Sequence, residues 1–239
     1  RLRLVPLLTD GFILDIQESP DGTRLLTHDR GYAPRLWDAR SMRILGFLSH
    51  NTREVAQAEM SKNGNLIVTN SYDEVKIWNA KTARLITTFN NNGDKDFGAN
   101  RFAISSDEKT IVLSQESGLW LGSAPDFKFK KIQEFPEEFF AYDVQFSPDN
   151  KKLVIAAGSQ SKLGTYDLTT QKLSFHSVDS DGNIFVEFSP DSNQILVTGI
   201  SNKAHLVDFA TGKILAQYPH FIGERGRFGN VKMAALFVG

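Results

Sequence analysis

The chain contains no cysteine, and its 239 residues include only 3 methionines and 3 tryptophans. Without thiols it can form no disulfide framework, no thiolate zinc site and no cysteine nucleophile. An excess of one charge is also missing, since 27 Lys and Arg stand against 28 Asp and Glu, a formal net charge of -1. That balance lacks the electrostatic footprint of a nucleic-acid binder. Long apolar runs are absent too. The stretch from Leu4 to Leu8 is far too short to span a bilayer, and no signal peptide is visible. These features favour a cytoplasmic protein with no membrane insertion and no nucleic-acid partner. The chain starts at Arg1, not Met, so the expectation is a piece of a larger polypeptide.

Against these absences, hydrophobic residues make up 41% and charged residues 23%, which is ordinary globular composition. The length suits one large domain or two small ones, with ample core. Aromatic residues are plentiful, 18 of them Phe. A short turn sequence recurs along the chain: SPDG from Ser19, SKNG from Ser61, SSDE from Ser105, SPDN from Ser147 and SPDS from Ser189. The starts are separated by 42, 44, 42 and 42 residues, a spacing too even for chance.

Each turn follows an alternating apolar segment, clearest in YDVQF (Tyr142 to Phe146) and IFVEF (Ile184 to Phe188), which predicts a strand with one buried face. After the turn comes a second apolar run: RLLTH, NLIVTN, TIVLSQ, KLVIAAG or QILVTG. Rich in β-branched residues, these read as strands buried on both faces. A third element places an aromatic or apolar anchor at Trp37, Trp78, Trp120, Tyr166 and Val207. A polar turn and a fourth run such as RILGFL, RLITTF or KILAQY close the unit. Four short strands per period of about 42 residues is the pattern of a propeller blade.

With SPDG-like turns paired to Trp-Asp-like dipeptides about 17 residues later, five times over, the sequence resembles the WD-repeat β-propeller family from roughly Asp10 to Tyr218. The resemblance implies an all-β propeller of four-stranded antiparallel blades, five full blades plus a partial sixth, in a ring of six or seven. Expected blades cover 11–48, 53–89, 99–134, 140–176 and 183–218 of one domain, with 1–8 as the outer strand of a closing blade and 219–239 as a partial blade. It also implies a hydrogen-bonded network of His, Ser or Thr, Asp and Trp. The second repeat fits it best, through His50, Thr69 or Ser71, Asp73 and Trp78, with Trp37 and Trp120 at the matching anchors.

Signals for chemistry are sparse. The histidines are His28, His50, His176, His205 and His220, with no HxH or HExxH spacing, so neither a metal nor another cofactor is expected. His28, at the blade position of Asn70, is expected in a loop. Ser19, Ser147 and Ser189 precede Pro-Asp and are expected to cap turns. DSDGN (Asp179 to Asn183) reads as a turn lacking the acids of a calcium loop, and GERGRFG, with Arg225 and Arg227, as a flexible loop. PEEFF (Pro136 to Phe140) offers either a contact patch or a loop leading two Phe into the core.

What remains is a binding surface. In the family, the loop face around the central channel grips peptides or proteins. Aromatic and Arg side chains dominate interface energetics, which selects Tyr32, Arg53, Phe97, Arg101, Phe139 and Tyr142 as candidates. The long loop from Asn90 to Asn100 is a favoured place for function. The expected function is a non-catalytic platform for a protein or peptide, which could include other domains of the same polypeptide. A propeller hydrolase or lyase, and a small-molecule sensor, are the alternatives.

Overall fold

A computed structural model describes residues 13–30, 32–51, 55–71, 74–90, 101–115, 118–136, 139, 141–157, 162–178, 183–199 and 203–219. The expected closing strand at 1–8 lies outside them, as does the partial blade apart from Pro219. The chain divides into two compact units, Arg1–Ile132 and Gln133–Gly239. Among the described residues every regular element is a β-strand.

The first unit holds three four-stranded antiparallel sheets, each a meander in chain order. Sheet one comprises β1 (Ile13–Glu18), β2 (Arg24–Asp29), β3 (Arg35–Asp38) and β4 (Ile44–Phe47). Sheet two comprises β5 (Val55–Met60), β6 (Leu66–Ser71), β7 (Glu74–Asn79) and β8 (Arg84–Asn90), and sheet three β9 (Arg101–Ile104), β10 (Thr110–Gln115), β11 (Gly118–Ser123) and β12 (Lys128–Glu134). The second unit holds β13 (Ala141–Phe146), β14 (Lys152–Ala157), β15 (Lys162–Asp167) and β16 (Lys172–Ser177) as one sheet, and β17 (Asn183–Phe188), β18 (Gln194–Gly199), β19 (Lys203–Asp208) and β20 (Ile214–Pro219) as the next. The strand content of each repeat is therefore as the sequence predicts.

Strand alternation explains why the second strands are so apolar. Ile67 on β6 packs with Leu26, Leu36 and Leu48 of sheet one, while its neighbours Leu66 and Val68 pack with Phe102, Ile111 and Leu113 of sheet three. Successive side chains of one strand thus serve two different intersheet cores, and all six residues of β6 are buried. In the second unit, Val154, Ala156 and Leu163 meet Val186, Ile195, Val197 and Val207 in the same way. The outer strands β4 and β8 are mostly exposed.

The recurrent turn closes each sheet at one end. Ser19 Oγ accepts from Arg24 N (2.9 Å) and donates to Asp21 Oδ1 (2.6 Å), while Gly22 N donates to Ser19 O (2.8 Å). Ser105 with Asp107, Ser147 with Asp149 and Ser189 with Asp191 repeat the arrangement. The residue after the Asp takes positive φ in each case, which is effortless for Gly22 but is also adopted by Glu108, Asn150 and Ser192. The turn-capping role expected of Ser19, Ser147 and Ser189 is what the hydrogen bonds show. A second cap lies between the third and fourth strands. There Asp38 accepts from Ser41 N (2.6 Å), Asn79 from Thr82 N (3.0 Å), Asp167 from Thr170 N (2.8 Å) and Asp208 from Thr211 N (2.8 Å). The Asp or Asn that follows Trp37, Trp78, Tyr166 and Val207 is thus explained as a turn cap.

Candidate functional site

The densest buried polar cluster described sits at the end of sheet two opposite its SKNG turn. Register pairs Ile67 with Trp78 and Thr69 with Lys76. Paired residues share a face, so Thr69, Lys76 and Trp78 project together. Trp78 Nε1 donates to Thr69 Oγ1 (2.8 Å), and Thr69 Oγ1 lies 2.6 Å from His50 Nε2. His50 Nδ1 faces Glu74 Oε1 at 3.3 Å. Glu74 in turn accepts from Lys76 Nζ (2.9 Å), Asn51 N (2.8 Å) and Asn51 Nδ2 (3.1 Å), and Lys76 also donates to Ser49 O (2.9 Å).

Burial, and then the Lys76 charge, push the His50 imidazole down to about 4, against the opposing pull of Glu74. The ring is therefore neutral near pH 7. The tautomer with its proton on Nδ1, toward the carboxylate, lets Nε2 accept from the Thr69 hydroxyl, which itself accepts the indole N–H. Burial works against the charge of Glu74, but the hydrogen bonds from Lys76 and Asn51 hold its carboxyl below the usual range.

Hydroxyl, imidazole and carboxylate in this order are the parts of a nucleophilic triad. Exposure decides against that use in this conformation. Thr69 is 0% exposed and Glu74 2%, and the His50 side chain is also 0% exposed. The hydroxyl that would attack is already held by Trp78. What the cluster does is tie the connection entering β5, through Ser49, His50 and Asn51, to the start of β7.

The other repeats carry less of this cluster. In sheet one, Trp37 Nε1 donates to Thr27 Oγ1 (2.9 Å). The place of Lys76 is taken by Arg35, whose partner is the buried Asp29 at 3.3 Å. His28 lies on β2, not in a loop; it is 4% exposed and its Nε2 meets Val55 O at 2.7 Å. In sheet three the position of Thr69 is held by Gln115 and that of Lys76 by Gly118. Ile155 and Val197 hold the threonine position in the second unit. With no hydroxyl there, Tyr166 and Val207 stand as plain core anchors.

The expected binding residues divide. Tyr32 is 42% exposed, and the Arg35 guanidinium sits 5.9 Å from its ring centre. Arg101 opens β9, half-buried and opposite Ser114. Phe139 is a core residue, 3% exposed, with Phe135 and Phe175 rings 4.8 and 4.7 Å away, so it is corrected from surface anchor to packing. Tyr142 lies where the β13 register shifts between Ala141 and Asp143; its side chain lies outside the described residues. Arg53, Phe97 and Asp73 also lie outside them, as do the 179–182 turn and the GERGRFG segment.

Sequence reasoning missed Glu74, Lys76 and Thr27. The alternation of Glu74 and Lys76 on one strand face, and the 42-residue offset of Thr27 from Thr69, are signals that could have found them. Among the described residues no group of three His, Asp or Glu could hold a metal ion, and no helix is long and apolar enough to cross a membrane. Comparison with family models and with curated proteins found no match for this chain.

Proposed function

We propose that the chain is a WD-repeat-type β-propeller, a ring of six or seven blades, that serves as a non-catalytic platform for a partner protein or peptide. The five four-stranded sheets at even sequence spacing support the architecture. The function is carried by one observation. Tyr32 presents an exposed aromatic ring beside Arg35, and Arg35 is itself fixed by the buried Asp29. An aromatic side chain braced in this way reaches a partner with little rotamer entropy left to lose. Around it, the polar side chains of sheets one and two are engaged in tying strands and loops together, which suits a rigid support.

The test is capture by the purified chain, comparing wild type with Tyr32→Ala, Arg53→Glu and Phe97→Ala. A defined protein retained by wild type and lost from Tyr32→Ala, and from at least one of the loop variants, is the expected result. Retention unchanged in all three would overturn the loop-face reading.

A further inference from the structure

Sheet three carries a defect in the polar network that the other two sheets of its unit lack. Trp37 and Trp78 each deliver their indole N–H to a threonine hydroxyl two residues along the second strand from their cross-strand partner. Trp120 pairs with Leu113 in the same register, so the residue in the threonine position is Gln115. Gln115 is 4% exposed, and its Nε2 has no hydrogen-bond partner. Trp120 Nε1 is likewise closed from solvent and without one. By pairing and alternation both side chains stand on the same face of the sheet. Opposite Gln115, where sheets one and two place Arg35 and Lys76, stands Gly118.

Two buried N–H donors therefore share one face, and the residue across from Gln115 contributes no side chain. Buried donors are satisfied almost without exception, by protein or by ordered water. We infer that sheet three has a built-in acceptor site, in which a long-lived water oxygen accepts from Trp120 Nε1 and Gln115 Nε2 and replaces the threonine hydroxyl of the other sheets. A neutral oxygen fits better than an anion. The cation that the matching position supplies in sheets one and two is replaced here by glycine, and both donors are uncharged. The bound oxygen completes the Trp-centred network with solvent instead of side chain.

Three tryptophans make the test direct, because the indole region of an amide correlation spectrum holds three signals, assigned by Trp→Phe replacement. Water-selective cross-relaxation should reach the Trp120 indole proton and not those of Trp37 and Trp78, which serve as internal controls. Gln115→Thr restores a hydroxyl at the position and should abolish the water contact at Trp120. No long-lived water at Trp120 in wild type would overturn the proposal, as would a contact unchanged in Gln115→Thr. Should the variant fold poorly, the wild-type spectrum with its two controls decides alone.

Discussion

Glu108 caps a turn that is not its own. The second repeat reads SKNG and lacks the Asp that the other four turns use, and the Glu108 carboxylate arrives from the third repeat to take its place. It accepts from Ser61 Oγ and from Asn65 Nδ2 (2.8 Å), while Asn63 Nδ2 donates back to Ser106 O (3.0 Å). One substitution in a local motif has thus become a bond between two sheets.

Glu108→Ala should destabilise the chain by about 1–3 kcal/mol, because it strips a charged acceptor from a buried serine. Asn63→Asp recreates the missing local cap and should recover part of the loss when added to Glu108→Ala. Urea unfolding of the single and double variants measures both, and additive losses would show that the two acids are not alternatives.

Thr69→Val should cost more than Thr27→Val. Both remove the acceptor of an indole N–H, but Thr69 also bonds His50, so its loss strands two buried groups. The expected penalties are about 1 kcal/mol for Thr27→Val and roughly 2–3 kcal/mol for Thr69→Val. Equal denaturant midpoints would argue that the His50 bond contributes nothing.

Acid should weaken the fold through His50. Its folded value of about 4 lies below the ordinary 6.5, so the unfolded chain binds the proton first. Stability is then full above pH 6.5 and falls as pH drops toward 4, by up to ~3 kcal/mol. His176, also lowered by burial, adds in the same direction. His50→Gln should flatten the stability profile between these limits without abolishing the slope. An unchanged profile would mean that the buried imidazole titrates normally.

Gly212→Ala should be far worse than Gly22→Ala. Both sites have positive φ, costing about 1 kcal/mol for any side chain. At Gly212, however, a Cβ would fall 2.0 Å from His176 Nδ1, whereas at Gly22 the nearest contact is 3.3 Å, to the flexible Glu18 side chain. Thermal unfolding separates the two, and similar midpoints would show that His176 moves aside freely.

Amides of the sheets anchored by Tyr166 and Val207 should exchange faster than those of β2, β3, β6 and β7. The former lack the Trp–Thr bond, and local opening tracks such ties. Equal protection would show that apolar anchors serve as well.

The fold was legible because its signals are local and repeated. Five turns at even spacing and a period of two within the strands set the number and order of elements, and Ser19 and Asp21 announce their own turn. His50, Thr69 and Trp78 came from resemblance to a known pattern. Glu74 escaped because that pattern directs attention to its sequence neighbour, Asp73. Glu108 escaped for a different reason: its partners Ser61 and Asn65 are more than 40 residues away, and only the stacking of sheets brings them together. Phe139 and Phe140 stand side by side in one motif, and nothing in that motif told the core position of Phe139 from a surface one.

The turns also stitch successive repeats in a fixed direction. Arg24 donates to Gly64 O and Lys152 to Ser192 O, each reaching forward by 40 residues. Each of these two repeats carries a donor for its successor, and the acceptor is a backbone carbonyl in the successor's turn. Copying the first repeat in tandem would keep such a bond across the new seam, because its acceptor is a backbone carbonyl that the copied turn also supplies, whereas a copy of the second repeat would strand Ser61 and Asn65 without Glu108.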